Sequence, residues 1–345
     1  MNTCPPELHS YICQLACTDD GQTARSLALV SKYLCEVARP YRYQSVAVTG
    51  ADQIVELYAK LKAIPPHMRR IHHLFLSERS HRTIEDPHYK RAPHHMCETE
   101  TTSIIQLLTL AAQTLETLTF AVPYATTSCT LIATLFSIVF PRLLELTVIG
   151  YYPFPHVPAS LPRLERLHLR GNRNPHGLLQ MGTLNAVCPR LTHLRVSDLS
   201  MAVSFVDELE EALNGDHANT GSICNHLSHE AADACPCTCS FHPPSQFRAK
   251  IPPEVKCLVI QPGPELNSEF ARQHRMCTLK DRAMMEQLMK LREVDENMKG
   301  VQYVLLQRGV PGEDLSEVAR REWAERLDGQ DSCWRVDQQD AGSAS

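Results

Sequence analysis

Little in this chain announces an enzyme. It holds no G-x-S-x-G, no G-x-x-x-x-G-K-[ST], no G-x-G-x-x-G and no H-E-x-x-H, the short arrangements that build nucleophile elbows, phosphate cradles and zinc-protease helices. Glycine is scarce, 14 in 345 residues, and never clusters as a phosphate-binding loop would. No enzymatic activity is therefore expected, and no cofactor. The N-terminus lacks a basic stretch followed by an apolar one, so no secretory leader is expected. The chain also has no Asn-x-Ser/Thr site. The longest apolar run, residues 131–140, is interrupted by Thr134 and Ser137 and falls well short of the roughly 20 residues a membrane span needs. A net charge of -5 argues against a general nucleic-acid binder, which would be basic. The expected setting is the cytoplasm or nucleus, with neither membrane nor nucleic acid as partner.

What is present is an ordinary globular composition, 43% hydrophobic and 21% charged, in a chain long enough for a sizeable core. The 14 cysteines suggest a disulfide framework until their placement is considered. Cys13, Cys17 and Cys35 fall at helical positions and read as small buried hydrophobes in a reducing compartment.

Residues 5–16 place Leu8, Tyr11, Ile12, Leu15 and Ala16 at the i, i+3, i+4, i+7, i+8 spacing of a helix with one buried face. Pro5 and Pro6 suit its first turn. A second helix is expected from Thr23 to Val30 and a third from Lys32 to Arg39, where Pro40 stops it. Residues 44–49 read as a strand.

Beyond residue 100 one phrase recurs: LETLTF at 115–120, LLELTV at 143–148, LERLHL at 164–169 and LTHLRV at 191–196. Its middle leucines, Leu118, Leu146, Leu167 and Leu194, lie 28, 21 and 27 residues apart. These periods fit leucine-rich repeats, whose units run about 20–29 residues and must stack to bury a core. Residues 71–76 and 255–260 are weaker copies. Residues 103–110, 129–140 and 178–187 read as returning helices. Polar insertions at 77–100 and 214–254 interrupt the pattern. Residues 267–298 and 313–327 look helical, with a strand at 301–306 between them.

The opening residues resemble the F-box, the helical module that docks onto the Skp-type adaptor of a cullin ubiquitin ligase. The resemblance covers residues 4–43, including Pro5-Pro6-Glu7-Leu8 and Leu27-Ala28-Leu29-Val30-Ser31-Lys32. With the repeats behind it, the chain resembles fungal-type F-box proteins with leucine-rich repeats. The resemblance implies adaptor docking through Pro5, Glu7, Leu8, Ile12, Leu27, Val30, Lys32 and Leu34. Cys4 stands where the family usually has leucine, and Leu34 where it often has tryptophan or phenylalanine. The implied function is recruitment of a protein substrate to the ligase. The other readings are a repeat scaffold outside the ubiquitin system, a helical cap at residues 5–43, and a zinc-binding protein.

The expected fold is α/β: an F-box-like three-helix module (1–48), an irregular leucine-rich-repeat solenoid (49–262), a helical C-terminal cap (263–327) and a disordered tail (328–345). Strand alternation puts Arg166, His168, Arg170, His193 and Arg195 on the face opposite the leucines. Such a face suits an acidic or phosphorylated protein segment, because guanidinium binds such groups bidentately. The plainer reading is a solvated strand face. Cys235, Cys237, Cys239 and His242 are weaker candidates for zinc, since their spacing is tighter than the usual C-x₂₋₄-C pair.

Overall fold

The computed structural model describes residues 4–78, 98–180, 183–214, 248–294 and 300–334. Its strands are β1 (Ser45–Thr49), β2 (His73–Ser77), β3 (Thr117–Ala121), β4 (Glu145–Ile149), β5 (Arg166–Arg170), β6 (His193–Leu199), β7 (Cys257–Pro262) and β8 (Gln302–Leu305). The four LETLTF-like phrases supply β3 to β6. All eight strands join one sheet in chain order, each parallel to the last.

Strict register turns side-chain alternation into rows that cross the whole sheet. Leu74, Leu118, Leu146, Leu167, Leu194 and Leu258 form one row. Leu76, Phe120, Val148, Leu169, Val196 and Ile260 form another, and all twelve side chains are essentially buried. Each contributes about 1.5–3 kcal/mol of transfer free energy. The helices α4 (Ala51–Ala63), α5 (Glu98–Ala111), α6 (Ala125–Ser137), α7 (Thr183–Val187), α8 (Val203–Asn214) and α10 (Arg275–Val294) pack against these rows in one continuous core. A short helix, α9 (Ser268–Gln273), precedes α10.

The expectation of a helical F-box-like module followed by an irregular leucine-rich-repeat solenoid and a helical C-terminal region is overturned. The described residues form one eight-stranded, all-parallel α/β sheet with eleven helices. β1, expected at the exit from the module, is its first strand, and β8, expected inside a helical cap, is its last. The physical cause is that the apolar rows do not stop at the repeats. Val46 and Val48 continue them at one edge, and Tyr303 and Leu305 at the other.

Before β1 lie α1 (Pro6–Ala16), α2 (Gln22–Val30) and α3 (Lys32–Ala38). Pro6 and Glu7 open α1, where a missing N–H and a negative charge are both tolerated. Asp19 accepts the N–H groups of Gly21 and Thr23 at 2.9 and 2.8 Å at the start of α2. The Ser31 hydroxyl caps α3 by accepting from Leu34 N–H. The three helices share a small separate core of Cys13, Cys17, Ala24, Ala38 and Tyr41. Gln44 Nε2 donates to the Gln14 carbonyl at 2.8 Å, tying α1 to the sheet.

The opposite face of the sheet is crossed by α11 (Leu315–Leu327), which Asp314 caps through Ser316 N–H. Residues 328–334, expected in a disordered tail, follow it and end in a 3-10 turn at Ser332–Trp334 with Trp334 buried. An apolar indole gives this stretch something to bury.

Gly150 and Gly171 end β4 and β5 with φ of 142° and 125°. A Cβ on Gly171 would lie 2.4 Å from the Gly150 carbonyl oxygen. Gly171→Ala is expected to destabilise the fold by at least about 1–3 kcal/mol through backbone strain alone, measured as a lower urea midpoint with an unchanged slope.

Candidate functional site

Two features stand out, and the first is on α1. Its apolar stripe, Leu8, Tyr11, Ile12 and Leu15, does not face the protein. All four side chains are more than half exposed, and on the neighbouring helices Leu29 (89%), Val30 (66%) and Tyr33 (47%) are exposed as well. The helix is held instead by Cys13 and Cys17, both buried. The sequence expectation of a buried stripe on this helix is therefore corrected: small thiols pack inward and the large side chains are left outside. Of the docking candidates, Pro5, Glu7, Leu8, Ile12, Val30 and Lys32 are exposed. Leu34 is half-buried, as is Leu27, which packs onto the small core.

The second feature is the face under α11. Parallel pairing brings Arg166 beside His193, His168 beside Arg195 and Arg170 beside Ser197. The five expected side chains therefore share one face, opposite the leucines, but that face is not open. His168, Arg170 and Arg195 are buried, and Arg166 and His193 are half-buried. The chain's own carboxylates take the place of a ligand. Arg170 Nε donates to Asp198 at 2.9 Å. Arg195 donates to Gln261 Oε1 at 2.8 Å, to Ser197 Oγ and to the Cys333 carbonyl, with Glu322 at 3.8 Å. Glu145, on β4, gathers Arg326 Nη2 at 3.0 Å, Trp334 Nε1 at 3.0 Å and Arg166 Nη1 at 3.5 Å. The Trp334 ring meets His168 and His193 edge-on.

Burial sets the protonation here. Desolvation, then Arg195 and Arg170, hold His168 far below the usual imidazole range. Burial followed by Arg166 lowers His193. Burial raises Glu322 even though Arg195 opposes the shift.

A cleft of about 660 Å³ opens at the carboxyl ends of β4 to β7, with Arg170 and Asp198 in its wall and Tyr151, Arg173 and Glu265 nearby. The order of the strands never reverses, so this is not the switch-point crevice of a doubly wound sheet. The weaker zinc candidates Cys235, Cys237, Cys239 and His242 lie outside the described residues.

Sequence reasoning missed the partners on the covered face. Glu322, Arg326 and Trp334 sit in no motif, and Glu145 lies inside the LLELTV phrase at a position the other copies fill with other residues. A tryptophan in an otherwise polar tail, one of two in the chain, was the available signal. No protein-family model, no curated protein and no solved structure matches the chain. Among the described residues, no helix is long and apolar enough to cross a membrane.

Two predictions follow, one from the cover and one from the end of β2. Trp323, on α11, packs on Phe75 with ring centroids 5.9 Å apart. Its Nε1 is buried without a hydrogen-bond partner. Trp323→Ala should cost about 3–5 kcal/mol in chemical denaturation. Trp323→Phe should cost less than about 1.5 kcal/mol, since no hydrogen bond is lost. The second prediction concerns Glu78, which follows β2 and accepts from the Thr127 hydroxyl at 3.2 Å. Burial pushes its carboxyl up to about 7, against the lowering effect of Thr127. A carboxyl raised in the folded state adds stability below the unfolded value near 4.5 and loses it as pH rises towards 7. Glu78→Gln should therefore raise the thermal midpoint above pH 7 and leave it unchanged below about pH 4.5.

Proposed function

We propose that the protein is a substrate-recognition adaptor of a Skp/cullin/F-box-type ubiquitin ligase. In this reading α1, α2 and α3 dock the Skp-type adaptor, and the sheet body holds a protein substrate near the ligase. The role is not enzymatic. It raises the effective concentration of substrate at catalytic subunits carried by other chains.

The observation that supports this reading is the outward-facing stripe of Leu8, Tyr11, Ile12 and Leu15, with Leu29, Val30 and Tyr33 also exposed on the two helices that follow. A helix that merely capped the sheet would turn such a stripe inward, because each large apolar side chain left in water forgoes about 1.5–3 kcal/mol. Contiguous exposed apolar surface marks an interaction site. A lipid surface fits less well, since α1 carries no lysine or arginine and interfacial helices are usually rich in both. Leu8, Ile12 and Val30, three positions of the F-box resemblance, are among these exposed residues.

On the substrate side, Arg166 and His193 keep part of their surface, and Arg173 stands at the cleft. An acidic or phosphorylated segment would meet these groups and compete with Glu145 and Glu322 for the cations beneath. The nine described cysteines are free thiols, which suits a reducing compartment, cytoplasm or nucleus.

The test is co-purification with a Skp-type adaptor, wild type against Leu8→Asp/Ile12→Asp. Both residues are exposed, so the fold should survive within about 0.5 kcal/mol per site, checked by circular dichroism. Loss of two apolar contacts should weaken binding by about 100-fold or more. A well-folded wild-type chain that ignores the adaptor would favour an interaction scaffold outside the ubiquitin system.

A further inference from the structure

We propose that His168, Glu322 and Cys333 form a site for a divalent cation of the zinc class that clasps the C-terminal segment to the sheet. The three come from β5, from α11 and from the 3-10 turn that follows it. A ring nitrogen, a carboxylate oxygen and the thiol sulfur lie within 4.8 Å of one another. Imidazole, thiolate and carboxylate together are the donor set zinc prefers, at bonds of roughly 2.0–2.3 Å. Tetrahedral closure brings ligand atoms to roughly 3.5 Å of each other. The remaining movement of about an ångström is available from the rotatable side chains of Glu322 and Cys333.

Two of the three ligands lack something that a cation would supply. His168 is fully buried, and its Nδ1 has no hydrogen-bond partner. Its Nε2 lies 2.9 Å from Ser197 Oγ. With the proton on Nε2, His168 donates to Ser197 and offers a lone pair on Nδ1, the arrangement in which a metal-bound imidazole is oriented by an outer acceptor. Among the described residues, the Glu322 carboxylate has a long ion pair, 3.8 Å, to Arg195. Arg195 keeps three neutral acceptors of its own, Ser197, Gln261 and the Cys333 carbonyl, while Glu322 stays close enough to serve it as a counter-charge. Two other charge groups on this face are matched: Asp198 pairs Arg170, and Glu145 pairs Arg166 and Arg326.

On binding, the Cys333 S–H bond breaks, its proton leaves to solvent and a sulfur–metal bond forms. No electron is transferred. The thiolate and the Glu322 carboxylate together neutralise the dication, and one coordination position stays open for water.

The test uses the full chain, stripped with a chelator and then titrated with zinc and with cobalt. A Cys235→Ser/Cys237→Ser/Cys239→Ser variant serves as the background. It should bind one zinc per chain, show a thiolate-to-cobalt charge-transfer band and release protons on binding. Zinc should also raise its thermal midpoint. Adding Cys333→Ser should abolish the band and weaken zinc binding at least 100-fold. His168→Gln should weaken zinc while leaving the thiol present. In the wild type, zinc should protect Cys333 from alkylation. A folded background variant with no cobalt–thiolate band, a band that survives Cys333→Ser, or alkylation of Cys333 indifferent to zinc would overturn the proposal.

Discussion

Parallel pairing in strict register places Arg166, His168, Arg170, His193 and Arg195 side by side on one face of the sheet, and the C-terminal segment has to be reconciled with that fact. Buried cations are expensive unless anions and hydrogen bonds meet them. Asp198 and Gln261 supply part of this from within the sheet, and Glu145 from the neighbouring strand. Glu322 and the Cys333 carbonyl supply the rest from α11 and the turn beyond it. Arg326 reaches back to the same Glu145. The charged face and its cover thus stabilise each other, and neither is favourable alone.

The same register explains the division of labour across the molecule. On one side, leucine rows and returning helices make a continuous core that carries most of the stability. On the other, a smaller cluster of Phe75, Ala121, Ile149, Ala319 and Trp323 anchors α11 over the early strands. Polar contacts take over towards β5 and β6. The three N-terminal helices stand apart, with their own small core and their largest apolar side chains facing outward. That arrangement leaves apolar surface in water, which costs stability.

Much of the sheet was legible in the sequence, because a period-2 pattern of leucines can be satisfied in few ways. Leu118, Leu146, Leu167 and Leu194 share a row as their common phrase requires. The separation of the chain into module, solenoid and helical cap was not sound, since Val46, Val48, Tyr303 and Leu305 carry the rows beyond the repeating phrase. Helix α1 was legible as a helix but not in its orientation: Cys13 and Cys17 are small enough to pack closely, and periodicity alone favours the larger stripe as the buried side. The placing of the Arg/His residues opposite the leucines followed from alternation. Their covering did not, because Glu145 and Trp334 meet across 189 positions of chain and no local pattern encodes such a contact.

The central claim is that the C-terminal segment lies on the charged face in the native protein. Trp323 and Trp334 are the chain's two tryptophans, and both are buried beneath or within that segment, so intrinsic fluorescence reports on it without labels. Quenching by a neutral quencher in the folded full chain is the direct measurement. The account predicts blue-shifted emission that is strongly shielded until the protein unfolds. Red-shifted emission, freely quenched while the sheet remains folded by circular dichroism, would contradict it.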